Sequence, residues 1–393
     1  MQDRRGGQSD EKMSDRKALV VGAGIGGLAA GIALRRAGWD VEIHERAETP
    51  RELGFGLLLA PNALAALGEL GIPRGAVGGA PLTSGAELRR LNGDVIRRFG
   101  VQLGGPAVVA LRPDLFGALL ASFGAGLWTG SDVIDVRDGD SGTELTLSTG
   151  ERRHGTILVG ADGVASIVRR HLHPEETGPC PSGYFALRGV ATSAGAALGE
   201  LSAAGYLDDG IEVGVARASK DAIYWYMSLL ASDIRPEERT PAAVLLKVRP
   251  RFDRTLSAIV SATAPGDMRL DELFIRGPLS TWGRGNVTLL GDAAHPVLPH
   301  TGQGAALALE DGVALGLALS RPCVVETRLR EYERVRSART RPFQRLGLRI
   351  ARVTTTHSVL IQRLRTLAIR LAPESLLGKS IVNARQDPHA ALR

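Results

Sequence analysis

The stretch ALVVGAGIGG at residues 18–27 decides the reading of this chain. Leu19, Val20 and Val21 are the aliphatic run that a parallel strand buried on both faces requires. Gly22, Gly24 and Gly27 follow in the G-x-G-x-x-G spacing. Gly22 permits the tight turn, Gly24 lets a pyrophosphate approach the backbone, and Gly27 lets the next helix lie close to the strand. That helix, expected over 28–37, points its free N–H groups and its dipole at the phosphates. A second strand over 41–45 ends on Glu45, about 20 residues on, where a carboxylate accepts hydrogen bonds from a ribose 2′-OH. An acid there disfavours a 2′-phosphate, which favours FAD or NAD over NADP as the tightly held ligand. Strand, helix and the terminal Glu together separate this motif from an ordinary glycine-rich loop.

With 393 residues, 44% hydrophobic and 23% charged, the chain is globular and long enough for two or more domains. It has no apolar run of about 18 residues, and no signal segment is expected. Its polar start reads as a disordered tail over 1–16. Cys180 and Cys323 alone fit a reducing cytoplasm, exclude a disulfide framework and are too few for a zinc or iron–sulfur site. The net charge of +6 is unevenly placed, because from Arg321 onward 16 Lys or Arg stand against 5 Asp or Glu. Those arginines recur at helical spacing among Leu, Ile and Val, which reads as a solvated helix face; an anionic membrane surface or an acidic partner is the alternative. Nucleic acid is disfavoured, since the tail has almost no aromatics for stacking.

Along the chain, residues 54–61 read as a loop and 62–70 as a helix stopped by Gly71 and Pro73. Residues 73–81 read as a non-helical boundary. Strands over 86–91 and 95–99 flank Asn92-Gly93-Asp94, a hairpin that starts a second sheet. Residues 108–123 are expected to return to helix, started by Arg112-Pro113-Asp114, with Arg112 either clamping a phosphate or ribose or standing as a surface side chain at the helix start. Short strands over 132–137 and 144–148 follow. TILVGADGVASIVRR at 156–170 repeats the opening pattern and sets Asp162 between two turn residues at a strand end, where ligands of parallel sheets bind. From 184 to 275 the pattern is antiparallel, with strands over 184–192, 211–216 and 223–229. Only 17 residues are Phe, Trp or Tyr, yet Tyr224, Trp225 and Tyr226 are consecutive. Alternation puts the tyrosines on one sheet face and Trp225 on the other; an aromatic-binding cavity and simple packing explain them equally well.

The third stretch is NVTLLGDAAHPVLPHTGQGAALALE at 286–310: a strand, Gly291-Asp292 at its end, and Gly302-Gln303-Gly304 opening a long helix. Free N–H groups at that helix start can bind an anionic ring edge, such as the N1–C2=O locus of a reduced flavin. Asp292 can bind sugar-alcohol hydroxyls. His295 and His300 read as hydrogen-bonding loop residues rather than acid–base catalysts.

The set GAGIGG at 22–27, GADGVASIVR at 160–169 and GDAAHPVLPHTGQGA at 291–305 resembles the class A flavoprotein monooxygenases, the group of the para-hydroxybenzoate, salicylate and urate hydroxylases. The similarity covers roughly residues 17–330. It implies a Rossmann-like FAD-binding domain with a parallel sheet (17–75, 101–176 and 277–325), α/β in class. It also implies a mostly antiparallel substrate domain (76–100 and 177–276) and a C-terminal helical region (326–393). Residue by residue, it implies that Gly22, Ala23, Gly24 and Gly27 hold the FAD pyrophosphate and Glu45 the adenosine ribose, with Arg46 beside it. Arg112 would contact the ribityl and phosphate region, Asp162 both FAD and NAD(P)H, and Asp292 the ribityl chain. Gly302, Gln303 and Gly304 would take the pyrimidine edge, and Pro299 the oxygen-reacting face. The implied reaction is hydride transfer from NADPH or NADH to FAD, O2 addition to give a C4a-hydroperoxyflavin, and attack on it by an electron-rich aromatic substrate. Tyr224, Tyr226 and Arg188 are the candidates to contact that substrate. Such a protein needs no metal, acts in the cytoplasm and is a monomer or homodimer. The rival readings are a flavin epoxidase on an apolar substrate and a flavin-binding redox or docking module without turnover. The C-terminal part, with Leu329, Tyr332 and Val335, then Leu346, Leu348 and Ile350 as partial apolar faces interrupted by Pro342, either covers the substrate domain or forms a dimer contact.

Overall fold

The structure is a computed structural model that describes residues 16–50, 55–100, 107–139, 142–321, 324–373 and 392. The tail expected at 1–16 therefore lies, apart from Arg16, outside the described residues, as does Cys323; Cys180 is an exposed free thiol. The strand Lys17–Val21 is the middle of a five-stranded sheet, all of whose pairs are parallel. The order is Val287–Leu289, Ile157–Gly160, Lys17–Val21, Asp40–His44, Leu127–Trp128. Ala18, Leu19 and Val20 are fully buried, as a strand covered on both faces must be. Because the strands run one way, the turns after three of them, at 22–24, 161–163 and Gly291–Ala293, emerge at one carboxyl edge. Hydrogen bonds tie these turns together: Ala161 N–H donates to Val21 O, and Leu290 N–H to Gly160 O.

The helix Ile25–Arg36 starts three residues earlier than expected and packs along Gly304–Leu319. Glycine makes that contact close. A Cβ on Gly312 would lie 2.7 Å from the backbone of Ala29 and Ala30, and one on Gly316 2.7 Å from Ala33 Cβ. The two backbones touch where any larger side chain would hold them apart.

The second sheet has seven strands, ordered Met268–Ile275, Cys180–Ala191, Ile223–Leu230, Ile211–Arg217, Ala203–Asp208, Ala86–Arg89, Val95–Phe99. All its pairs are antiparallel except Ala203–Asp208 with Ala86–Arg89. One face buries Leu187, Val213, Trp225 and Met227 against the helices Pro241–Val248 and Arg254–Ser261. Trp225 Nε1 donates to Thr263 Oγ1 at 2.9 Å, so this aromatic is core. The other face carries Arg188, Tyr224, Tyr226, Ser228 and Glu212, with Tyr226 opposite Arg188 and Gly214, and Ser228 opposite Glu212.

Several expectations are corrected. Residues 108–123 are not one helix: the β-branched run makes a strand, Val108–Leu111, before Pro113 sets the first turn of Arg112–Phe123. That strand pairs with Gly56–Leu59, read as a loop, and with Ala80–Pro81. Arg74–Val77 forms a single 3₁₀ turn in the supposed non-helical boundary. Two strands, Ala203–Asp208 and Met268–Ile275, and both helices behind the second sheet went unread. Pro342 does not interrupt the C-terminal helix, which runs Val325–Thr354 straight through it. The proline forfeits one hydrogen bond, but Arg341 donating to Leu279 O at 2.9 Å and buried Phe343 hold the helix on both sides. Among the described residues no helix is long and apolar enough to cross a membrane, and no His/Cys/Asp/Glu group is arranged to hold a metal.

The glycine contact can be tested. Gly312→Val should cost about 3 kcal/mol by overpacking. Gly117→Ala, on a helix surface where a Cβ meets nothing within 4 Å, should gain about 0.5–1 kcal/mol. Urea unfolding of both variants measures the difference.

Candidate functional site

At the carboxyl edge of the parallel sheet the three glycines do different work. Gly22 has φ +98°, and a Cβ on it would lie 2.6 Å from Ala161 O. A Cβ on Gly27 would collide with Gly22 O, so this glycine is required by strand–helix packing. Gly24, which precedes the first residue of Ile25–Arg36, has no atom within 4 Å of its would-be Cβ. It faces an open cradle at a helix N-terminus, a shape and polarity suited to a pyrophosphate. Glu45 stands beside it: Ala23 N–H donates to Oε2 at 2.9 Å and Ala47 N–H to Oε1 at 3.0 Å, while Arg46 is exposed.

Asp162 follows the strand Ile157–Gly160. Its Oδ2 accepts from Ile167 N–H at 2.7 Å, but its Oδ1 is buried without a partner. Burial raises the carboxyl's pKa, opposed by hydrogen bonds from Ser166 and the Ile167 N–H. An acceptor left open at the cradle is what a ligand hydroxyl or amide would satisfy, so these residues fit a dinucleotide cofactor. Asp292 is exposed on the neighbouring turn Gly291–Ala293. Arg169, fully buried, joins the two motifs by donating to Ala293 O at 3.1 Å and Ala294 O at 3.2 Å.

The turn Pro299–Thr301 carries exposed Pro299, and Gly302 turns the chain at φ +61° into Gln303 and the helix Gly304–Leu319. Gln303 is buried and its Oε1 accepts from Asn62 Nδ2 at 3.1 Å. Behind it lies an ionic cluster that the sequence did not disclose. Arg336, on the C-terminal helix, donates to Asp311 Oδ1 at 2.6 Å and to Glu310 Oε2 at 2.7 Å, all three side chains being wholly inaccessible to solvent. Asn62 donates to Glu310 Oε1 at 2.7 Å, and Asp311 Oδ2 takes the Gly291 N–H at 2.9 Å and His295 Nε2 at 2.5 Å. Burial pushes the Asp311 carboxyl up, but His295 and Arg336 outweigh it and hold the pKa at about 2. His295 is thus a hydrogen-bonding residue, as expected. The arginine-rich tail is not all solvated face: Arg336 neutralises the core.

On the facing sheet, Tyr226 OH donates to Glu212 Oε1 at 2.8 Å, and Ser228 Oγ lies 2.8 Å from His300 Nε2. His300 Nε2 is 3.9 Å from Glu212 Oε2. Tyr224 stacks on Tyr226 with ring centroids 6.4 Å apart and packs against Gly56. Arg188 donates to Asp271 at 2.7 Å. His300 Nδ1, Glu212 Oε2 and Arg188 Nε are buried without partners. Burial lowers the His300 pKa against the pull of Glu212, leaving the imidazole neutral at pH 7. Burial also pushes Tyr224 up to about 12, opposed by nearby Arg188 and Arg112, and pushes Tyr226 well above its ordinary value. Tyr224, Tyr226 and Arg188 therefore share one face, joined by Glu212, Ser228 and His300. Glu212 alternates with apolar neighbours in Ile-Glu-Val, the signal that could have placed it beside the tyrosines.

The sequence profile described as FAD binding domain matches residues 15–345. The chain belongs to that family. It is 30% identical over 341 residues to the aurachin C monooxygenase/isomerase of Stigmatella aurantiaca, covering 85% of this chain and 88% of that one. It is 32% identical over 345 residues to 3-hydroxybenzoate 6-hydroxylase 1 of Aquipseudomonas alcaligenes, covering 82% and 85%. Klebsiella pneumoniae HpxO, solved with FAD and uric acid, shares the fold with a TM-score of 0.87 over 94% of this chain and 96% of that one, at 23% identity. This family member is an FAD-dependent monooxygenase.

Removing the cation should break the cluster. Arg336→Leu leaves two buried carboxylates under-compensated and should cost about 3–5 kcal/mol. The folded pKa of Asp311 lies below its unfolded value, so its contribution is complete above about pH 4 and is lost as pH falls toward 2. Chemical denaturation between pH 2 and 6 should show a smaller loss in Asp311→Asn than in the parent chain, the remainder coming from Glu310, Glu176 and Glu87, whose pKa values are also lowered.

Proposed function

We propose that this monooxygenase hydroxylates an electron-rich aromatic or heteroaromatic small molecule, with NADPH or NADH as reductant and O2 as co-substrate. The observation that carries the reading is the largely buried polar face Tyr226, Glu212, Ser228 and His300, aromatic-lined and set against the turn that opens Gly304–Leu319. Bound FAD supplies hydride acceptance and oxygen activation, the chemistry no side chain of this protein could provide.

The protein's own tasks are binding, orientation and exclusion of water. Gly22, Ala23, Gly24 and Gly27 would hold the pyrophosphate, with Glu45 on the adenosine ribose and Arg46 beside it. Arg112 and Asp292 would take the ribityl and phosphate region. Gly302, Gln303 and Gly304, at the start of the helix Gly304–Leu319, would take the anionic ring edge, and Pro299 would stand on its open side. Asp162 Oδ1 would accept from a ligand hydroxyl. A substrate O–H or N–H would be met by Glu212 Oε2 on the sheet face or by His300 Nδ1 on the facing turn, in the tautomer that keeps the proton on Nε2. Withdrawing that proton makes the ring more electron-rich, and Tyr226 holds Glu212 in place for it. The FAD-binding part comprises 17–75, 101–176 and 277–325, and the substrate part 76–100 and 177–276. The protein works in the cytoplasm, where both nicotinamides are present, as a monomer or homodimer.

Purified FAD-loaded protein should oxidise NADPH or NADH faster when the right phenol, hydroxyaromatic acid, indole, purine or quinolone is added, with little peroxide released. If no aromatic stimulates oxidation, the reading fails. Tyr226→Phe should keep its FAD absorbance yet lower kcat about 10- to 100-fold.

A further inference from the structure

The helix Val359–Leu371 is turned inside out relative to an ordinary surface helix. Three of its polar side chains are docked against the protein. Arg365 donates to Val353 O at 2.9 Å and Thr354 O at 2.7 Å, Gln362 donates to Asp209 Oδ1 at 3.0 Å, and Thr366 is buried. Its leucines face out. Leu360, Leu364, Leu367 and Leu371, spaced to fall on one side of the helix, are 66%, 56%, 53% and 73% exposed, with Ile361 exposed at their margin. Four outward leucines in one stripe are a surface built to be covered.

The charge around the stripe selects what covers it. From Arg334 to Pro373 the sequence has 10 Arg and no Asp, Glu or Lys. Arg363 and Arg370, both exposed, flank the leucines on the same helix, and Arg345, Arg349 and Arg352 are exposed on the helix before it. A second copy laid symmetrically on the stripe would bring like charges together, with no acid on this helix to pair them. An anionic bilayer surface meets both demands at once, since acyl chains take the leucines and headgroup phosphates take the arginines. We propose that Val359–Leu371 lies in the interface of an anionic lipid surface and holds the monooxygenase there as a peripheral protein. Nothing in this inference depends on which substrate the active site takes.

The test is co-sedimentation of the full-length, FAD-loaded protein with phosphatidylglycerol-containing vesicles and with phosphatidylcholine vesicles. The protein should pellet with the anionic vesicles and leave them at about 0.5 M salt. The Leu364→Asp/Leu367→Asp and Arg363→Glu/Arg370→Glu double variants should each bind about tenfold more weakly while keeping bound FAD and thermal stability. Failure to bind either vesicle overturns the proposal, and equal binding to both overturns the anionic assignment. A lipid-free dimer that the Leu364→Asp/Leu367→Asp pair dissociates also overturns it, in favour of a second copy.

Discussion

Glu310 and Asp311 sit side by side on a helix with no access to water, and their charge must be answered from inside the protein. Arg336 answers it, bridging both carboxylates, with Arg339 adding a contact to Glu310 at 3.2 Å. From that cluster the geometry of the site radiates. Asp311 fixes the Gly291 N–H and His295, and so the turn bearing Asp292; Glu310 fixes Asn62, and Asn62 fixes Gln303 at the next turn. A well-packed apolar set could match such a cluster in stability, so what the ions contribute is direction: each hydrogen bond points one backbone turn. The C-terminal helix, through Arg336, is thereby part of the foundation of the turns that carry Asp292 and Gln303.

The parallel sheet supplies the other half of the constraint. With Lys17–Val21 in the middle and strands parallel on both sides, the three motif turns can only emerge together. Gly22 and Gly27 are consumed by the protein's own contacts, whereas Gly24 alone opens on free space. The motif therefore combines two glycines required by packing with a third that leaves space at the helix start.

This explains what the sequence disclosed. Motifs governed by local steric rules were legible: the glycine turns, Glu45 at a strand end, Asp162 after its strand, the helix start at Gly302 to Gly304. What was not legible depended on partners far along the chain. Arg336 looks like any other arginine in a basic helix until Glu310 and Asp311 are brought against it, 26 and 25 residues away in sequence. Pro342 looks like a helix breaker until Arg341 and Phe343 are seen anchored on either side. Val108–Leu111 reads as helix or strand on pattern alone, and only its pairing with Gly56–Leu59 decides. Alternation did separate Trp225 from its tyrosine neighbours, but which side met the core was settled by the helices behind the sheet, themselves unread.

The two faces of the seven-stranded sheet then show how stability and binding are divided. Behind it, Trp225 donates to Thr263 and the aliphatic side chains pack together. In front, Glu212 Oε2, His300 Nδ1 and Arg188 Nε stay buried and unanswered, as does Asp162 Oδ1 across the cradle. Each such atom costs a fold about 1–3 kcal/mol that a core designed only for stability would avoid. That cost is recoverable only when a group of complementary polarity enters, and a ligand lacking the right O–H or N–H leaves it unrecovered. One side of the sheet is thus packed against its helices, while the other keeps buried polar atoms without a protein partner.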